Sequence, residues 1–204
     1  MLPARFLLFG YISGSVLYAR IFAGIFHKED MIAKSRDQNP GVANAFQYGG
    51  FWCGLLTLLG DLAKGFFPVY LYTHFGNTGY LNTLPAALVI ASPVIGHAFP
   101  LFYRFKGGKG ITVTFGVLLG LLPVWKPVAI LAALFILFSS AMRITPHFYR
   151  TGVTYICALI GMLLLVDEMV IWLSFLLVTA NVLMRLHISK EKREKPEVKL
   201  LWMR

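Results

Sequence analysis

Charged residues are scarce in this chain of 204 residues, at 14% of the sequence against roughly 25% in an average soluble domain. Acidic residues are the scarcer sign, with 9 Asp and Glu against 19 Lys and Arg, while 57% of all residues are hydrophobic. A soluble domain of this size could not bury that much apolar surface. The composition therefore excludes a small soluble enzyme, a disordered chain and a fibrous repeat, and it predicts that the chain folds in a lipid bilayer.

Several catalytic motifs are also absent from the sequence. It has no H-E-x-x-H, no cysteine cluster and no G-x-S-x-G, so a metal site and a triad hydrolase are poor interpretations, and we expect no cofactor. Cys53 and Cys157 lie in apolar stretches, where we expect core residues without a disulfide. The basic residues are scattered among apolar runs, which is typical of membrane loops and does not indicate nucleic acid.

Seven apolar segments are candidate membrane spans, because a spanning helix needs about 20 mostly apolar residues. They are residues 4–26, 51–74, 84–104, 111–124, 126–142, 150–166 and 169–186. The fourth is short and contains glycine, so we expect it to be tilted or preceded by irregular backbone. The sequence thus predicts an all-α integral membrane protein with seven transmembrane helices in residues 1–186, followed by a basic cytoplasmic tail, residues 187–204.

The distribution of basic residues predicts the orientation. With the N-terminus outside, the inner loops and the tail hold fifteen Lys and Arg, whereas the outer side holds only Arg5 and Lys126. Lys and Arg concentrate in cytoplasmic loops. We therefore expect a multi-pass protein of the cell membrane, surrounded by membrane lipids, with its C-terminus in the cytoplasm.

Asp61 and Lys64 interrupt the second apolar segment, three residues apart, which puts them on one helix face where they can pair. Ionisable groups inside a membrane are costly and are functional candidates by default. Two interpretations remain open: a structural ion pair that fixes helix packing, or a site for an anionic substrate beside Lys64.

The strongest local signal is the run F-K-G-G-K-G at residues 105–110. Its three glycines allow the backbone N–H groups to turn inward as an anion nest, and Lys106 and Lys109 supply positive charge. An apolar helical run follows at once, so its N-terminus can point at the same place. This pattern predicts a phosphate cradle, with a flexible basic loop on anionic lipid as the alternative.

Two further polar positions lie on the same inner side. His97, between Gly96 and Pro100, is either a packing histidine or a functional one, and its closeness to the glycine-lysine run favours function. The turn at Asn39-Pro40-Gly41, with Asn44 after it, can hold a polar substrate or cap the second helix.

Taken together, these motifs resemble those of the bacterial acyl-phosphate glycerol-3-phosphate acyltransferases of the PlsY type. Residues 96–97, 100 and 105–110 resemble the family's third signature, and Gly60-Asp61 with Lys64-Gly65 resembles its second-helix Asp-x-x-Lys-Gly. The turn at 39–41 with Asn44 resembles the core of its Ser-Gly-Asn-Pro-Gly-Ala-Thr-Asn loop, and Gly14-Ser15 its first-helix Gly-Ser. The resemblance covers residues 10–120 and continues more faintly to 186.

The resemblance implies a seven-helix fold with a site on the cytoplasmic side. It implies transfer of an acyl chain from acyl phosphate to the sn-1 hydroxyl of glycerol 3-phosphate, which gives lysophosphatidic acid for phospholipid synthesis without a metal. Carried onto this chain, catalysis falls on His97 and Lys106. Substrate binding falls on Ser15, Ser35, Arg36, Asn39, Gly41, Asn44, Asp61, Lys64, Gly107, Gly108, Lys109 and Gly110.

Two departures from the family pattern concern the acceptor. Where the family has a Ser and an Arg around the substrate phosphate, this chain has Asp37 and Gln47. A carboxylate beside a phosphate is repulsive, and Ser35 and Arg36 are the neighbours that could substitute. Alternatives to the acyltransferase are therefore a paralogue with another small polar acceptor and a non-catalytic lipid-binding or regulatory membrane protein. A small transporter is disfavoured, because the polar groups gather on the inner side.

Overall fold

The computed structural model describes residues 2–76, 83–189, 191 and 194–201. Within them the chain forms ten α-helices and one short antiparallel pair of strands. The helices are α1 (Leu2–Ser15), α2 (Tyr18–Ile25), α3 (Met31–Lys34), α4 (Val42–Gly49), α5 (Phe51–Phe75), α6 (Leu84–Ala98), α7 (Ile111–Leu119), α8 (Lys126–Ile136), α9 (His147–Leu165) and α10 (Met169–Ile188). The strands are β1 (Met142–Thr145) and β2 (Glu197–Leu200).

Five helical segments in the described residues are long and apolar enough to cross a membrane, and they coincide with the first, second, third, sixth and seventh predicted segments. They are Pro3–Ile25, Phe51–Phe75, Leu84–Tyr103, His147–Leu165 and Met169–Ile188. The prediction of a mostly helical protein with membrane-spanning helices is therefore confirmed. The first of these segments contains both α1 and α2, which are separated by a break at Val16 and Leu17.

The fourth and fifth predicted segments form shorter helices. Helix α7 has 9 residues, or about 14 Å at 1.5 Å per residue, which is half of a hydrocarbon core of about 30 Å. Helix α8 continues through a π-helical turn to Ala141 and also stays below the length of a full span. The count of seven crossings thus stays a prediction.

Helix α6 lies at the centre of the bundle, where α1 and α10 pack against it. It begins at Thr83, whose hydroxyl accepts a hydrogen bond from the N–H of Ala86, and Pro85 occupies its first turn. Most of its side chains are buried. As a result, His97 near its C-terminal end is held inside the bundle.

Helices α5 and α7 approach each other closely where glycines face the opposite backbone. A Cβ atom on Gly65 would lie 2.4 Å from the carbonyl oxygen of Val113, and one on Gly116 would lie 2.2 Å from that of Leu62. Small residues allow such contact between membrane helices. This crossing brings the start of α7 next to the face of α5 that carries Asp61 and Lys64.

The two strands are a departure from the predicted all-α fold. Strand β2, in the expected basic tail, pairs antiparallel with β1, so that Met142 lies opposite Leu200 and Thr145 opposite Glu197. Hydropathy could not predict this pairing, because β1 follows an apolar segment and β2 is short and polar. Residues 190, 192–193 and 202–204 of the tail lie outside the described residues.

Candidate functional site

A cavity of about 730 Å³ opens at one end of the bundle. Its walls come from distant parts of the chain: the loop before α4, the helices α4, α5 and α6, the start of α7, the link into α9, and the segment after α10. The predicted site residues that line it are Arg36, Asn39, Gly41, Asn44, Asp61, His97, Lys109 and Gly110. The fold thus brings most of the predicted residues to one place.

Asp37 shapes the loop that precedes α4. Its Oδ1 atom accepts hydrogen bonds from the N–H of Asn39 at 3.2 Å and from Nδ2 of Asn44 at 2.9 Å. The Asn44 amide also donates to the carbonyl oxygen of Asn39 at 2.8 Å. The carboxylate that departs from the family pattern is therefore an acceptor on which the turn depends.

The glycine-lysine loop packs directly on His97. The N–H of Gly108 donates to the His97 carbonyl oxygen at 3.0 Å, and the N–H of Lys109 donates to Oδ1 of Asn39 at 3.0 Å. A Cβ atom on Gly108 would lie 2.2 Å from Nε2 of His97, so this approach requires glycine. Because both amides are bonded within the protein, they do not form the anion nest that the sequence predicted.

The N-terminus of α7 faces the cavity instead. Gly110, Ile111 and Thr112 are in the cavity lining, and the first amide bonded back along the helix is that of Thr114, which donates to Gly110 at 2.8 Å. The amides before it have no partner within the helix. The positive end of the helix dipole therefore points at the cavity.

Lys109 is a buried ammonium between two carboxylates. Its Nζ atom lies 2.9 Å from Oδ2 of Asp37 and 2.7 Å from Oε2 of Glu191. Burial opposes ionisation of Asp37, but the charge of Lys109 and the amide of Asn44 outweigh it and hold the pKa of the Asp37 carboxyl below its usual value. An anion that enters the cavity must therefore compete with two carboxylates for Lys109.

The predicted pair of Asp61 and Lys64 is present and is connected to His97. Nζ of Lys64 lies 2.7 Å from Oδ1 of Asp61, 2.9 Å from Nδ1 of His97 and 2.6 Å from the carbonyl oxygen of Val16. All three side chains are buried. One ammonium thus joins α5, α6 and the break between α1 and α2.

Six predicted residues lie outside the cavity lining: Lys64, Gly107, Gly108, Lys106, Ser15 and Ser35. The side chain of Lys106 is exposed, because the chain reverses at Arg104 and Phe105, whose φ angles are 52° and 59°. Ser15 donates to the carbonyl oxygen of Tyr11 and accepts from the N–H of Leu101, so it joins α1 to the turn after α6. Ser35 donates to the carbonyl oxygen of Ile32.

Sequence reasoning missed several residues around the cavity. Glu191, Glu194 and His147 line it, and Arg185 donates from its guanidinium to the carbonyl oxygen of Gly107. The two glutamates lie among five Lys and Arg at residues 190–199. Because the tail is basic overall, its composition did not indicate that carboxylates from it would line the cavity. Within the described residues, no three His, Cys, Asp or Glu side chains gather in a way that could hold a metal ion.

Comparison with known proteins identifies the family. The model of the family described as glycerol-3-phosphate acyltransferase matches residues 4–194, nearly the whole chain. The chain belongs to this family.

Curated relatives within the glycerol-3-phosphate acyltransferase family match a shorter region. The protein of that name from Paraburkholderia xenovorans (strain LB400) is 35% identical over 128 residues, which are 63% of this chain and 59% of the relative. That from Janthinobacterium sp. (strain Marseille) is 40% identical over 116 residues, or 57% of each chain. The chain thus spans less than three fifths of the length of these relatives.

Solved structures of the family share the fold. This chain matches the crystal structure of PlsY, an integral membrane glycerol 3-phosphate acyltransferase, in its glycerol 3-phosphate form with a TM-score of 0.76 and 20% identity, over 91% of this chain and 88% of that one. The lysophosphatidic acid form matches with a TM-score of 0.73 over 90% and 87%. The chain therefore has the fold of an integral membrane protein.

The Asp37–Lys109 pair predicts a pH-dependent contribution to stability. Because the Asp37 pKa is lowered by folding from 3.8, its stabilisation is present above that pH and is lost as the pH falls through the folded value. Asp37→Asn should lower the melting temperature in detergent at pH 7 by a few degrees, on the order of 1 kcal/mol. The difference from the unmutated protein should shrink as the pH falls below 3.8 and vanish below the lowered pKa of folded Asp37.

Asp30→Asn is the matched control for that variant, because Asp30 pairs with Lys34 on the exposed surface. It should leave the melting temperature unchanged. Equal melting temperatures for Asp37→Asn and the unmutated protein at pH 7 would show that the buried pair contributes nothing.

Proposed function

We propose that this chain is a membrane acyltransferase that moves an acyl group from acyl phosphate to the sn-1 hydroxyl of glycerol 3-phosphate. The observation that carries the proposal is a single cavity whose lining includes the imidazole of His97, the ammonium of Lys109 and the N-terminus of α7. Relatives named glycerol-3-phosphate acyltransferase and the PlsY fold support it. The product is lysophosphatidic acid, and phosphate is released.

Two features of the cavity suit a phosphorylated substrate. Lys109 is a charge-assisted donor, and the free amides at the start of α7 add the positive end of a helix dipole. Arg36 is a further cation in the lining. In the proposed complex, the substrate phosphate replaces Glu191 on Lys109, because the Asp37 carboxylate is also held by Asn44 and by the N–H of Asn39.

The proposed reaction needs no covalent enzyme intermediate. The acceptor hydroxyl oxygen forms a bond to the acyl carbonyl carbon, the bond from that carbon to the phosphate oxygen breaks, and the hydroxyl proton is lost to the leaving phosphate or to water. Holding both substrates in one cavity supplies proximity, and acyl phosphate already carries a good leaving group. His97 is then placed to orient an oxygen or to assist proton transfer.

The finer topology belongs to the same proposal: seven crossings, the N-terminus outside, and the cavity on the cytoplasmic side of the cell membrane. In this arrangement α7 and α8 complete the crossings as short helices, and residues 187–204 form the cytoplasmic tail. The charge bias of fifteen basic residues against two supports this orientation. The cavity walls include the loop before α4 and the segment after α10, both on the basic side.

A second candidate is the same transfer to another small polar acceptor. It is favoured by the ion pairs of Lys109 with Asp37 and Glu191, because two carboxylates already neutralise the cation that a phosphate would need. A neutral polyol would not have to displace either of them.

Lys109→Ala tests the phosphate site. Loss of a hydrogen bond to a charged group costs about 1.5–3 kcal/mol, so the KM for glycerol 3-phosphate should rise by at least about tenfold. Lys106→Ala is the matched control, because Lys106 is an exposed lysine of the same loop outside the cavity lining. Steady-state kinetics in lipid nanodiscs measure both, and equal losses for the two variants would contradict the cavity assignment.

Asp37→Ser combined with Gln47→Arg tests the acceptor. The change removes a carboxylate from Lys109 and adds a cation at the cavity wall, so the KM for glycerol 3-phosphate should fall. The assay compares glycerol 3-phosphate with glycerol at fixed acyl phosphate. A lower rate with glycerol 3-phosphate, and a preference of the unmutated protein for glycerol, would favour the second candidate.

Cysteine labelling tests the topology. In a background with Cys53→Ala and Cys157→Ala, a cysteine in place of Glu29 should react with an impermeant maleimide only from the cytoplasmic side. A cysteine in place of Lys126 should react only from outside. Both positions are exposed. Labelling of both from one side would contradict the proposed arrangement of helices.

A further inference from the structure

The ammonium of Lys64 has two hydrogen-bond acceptors and one ion-pair partner around it. Its Nζ atom lies 2.7 Å from Asp61 Oδ1, 2.6 Å from the Val16 carbonyl oxygen and 2.9 Å from His97 Nδ1. An ammonium carries three donors and no acceptor. A charged Lys64 therefore donates to the Val16 carbonyl oxygen and to His97, whose Nδ1 must be an acceptor, and it forms an ion pair with Asp61.

The carboxylate of Asp61 favours the charged form of Lys64. An opposite charge within about 4 Å stabilises an ammonium, and a lone buried carboxylate would be far more costly than the ion pair. A neutral lysine would have two donors and one lone pair, which would reverse the hydrogen bond to His97. That arrangement would leave the Asp61 carboxylate without a counter-charge at 2.7 Å.

Whether Nδ1 of His97 carries a proton determines whether Nε2 is a hydrogen-bond donor or an acceptor on the cavity side. A neutral imidazole whose Nδ1 accepts a hydrogen bond carries its proton on Nε2. His97 lines the cavity, and its Nε2 atom lies on the side of Gly108. Over residues 2–76, 83–189, 191 and 194–201, no hydrogen bond engages Nε2.

We infer that Lys64 is a positioning residue that fixes His97 as the Nε2–H tautomer, so that His97 offers the substrate a hydrogen-bond donor and not a base. The catalytic half of this inference rests on the proposed function. In acyl transfer, negative charge develops on the carbonyl oxygen of the donor, and a preorganised N–H stabilises such an oxygen. With a proton already on Nε2, His97 has no lone pair on the cavity side with which to accept the acceptor's proton.

Nuclear magnetic resonance of the unmutated protein tests the tautomer without any turnover. The protein is labelled with ¹⁵N-histidine and held in lipid nanodiscs at pH 7.5, and the His97 signals are assigned by their loss in His97→Gln. The expected spectrum has a protonated Nε2 and an unprotonated Nδ1. A proton on Nδ1 with Nε2 bare would overturn the inference.

Lys64→Met keeps the length of the side chain but removes the donors. His97 should then populate both tautomers, and kcat should fall by about 10- to 100-fold, the scale for losing a group that orients a histidine. The KM for glycerol 3-phosphate should change little. An unchanged tautomer together with an unchanged kcat in Lys64→Met would contradict the positioning role.

Substitution of His97 distinguishes a donor from a base. His97→Gln retains an N–H donor near the position of Nε2, so it should keep at least tenfold more kcat than His97→Ala. A base could not be replaced in this way, so equal losses in the two variants would overturn the donor role. If the unmutated protein has the Nε2–H tautomer but transfers no acyl group, the proposed function fails while the tautomer assignment stands.

Discussion

A buried ammonium in an apolar bundle needs a counter-charge and hydrogen-bond acceptors, because an unpaired charge there costs several kcal/mol. Lys64 forms an ion pair with Asp61 and donates hydrogen bonds to His97 and to the carbonyl oxygen of Val16. The last of these acceptors is available only because the first apolar segment breaks between α1 and α2. The ion pair, the helix break and the position of His97 are thus parts of one arrangement, and Asp61 and His97 line the cavity.

The second charge of the site, Lys109, is balanced differently. Its partners Asp37 and Glu191 come from a loop and from the segment after α10, not from the helices. Asp37 is also bonded to Asn44 of α4, whereas Glu191 reaches Lys109 from the segment after α10. The cavity lining contains both the buried imidazole of His97 and the cation of Lys109, and the proposed function places a phosphorylated substrate between them.

The long helices and the Asp61–Lys64 pair could be predicted from the sequence. The conformation of the glycine-lysine loop and the contact of Glu191 could not, for physical reasons. Long apolar helices are predicted well by hydropathy, so the positions of α5, α6, α9 and α10 agree closely with the predicted segments. The helix spacing of Asp61 and Lys64 predicted their pair. The exposure of Lys106 and the bonding of the Gly108 and Lys109 amides within the protein could not be predicted, because the conformation of a glycine loop depends on its tertiary partners, here His97 and Asn39. Glu191 reaches Lys109 through a long-range contact that no local pattern records.

In the proposed function, the cavity couples breakdown of acyl phosphate to acylation of glycerol 3-phosphate. The most direct measurement is a ³¹P magnetic resonance time course of the purified protein in nanodiscs with both substrates. We expect the acyl phosphate signal to be replaced by equal amounts of inorganic phosphate and lysophosphatidic acid, and no change when the acceptor is omitted. Phosphate release without acylated product, or no conversion by the folded protein, would contradict it.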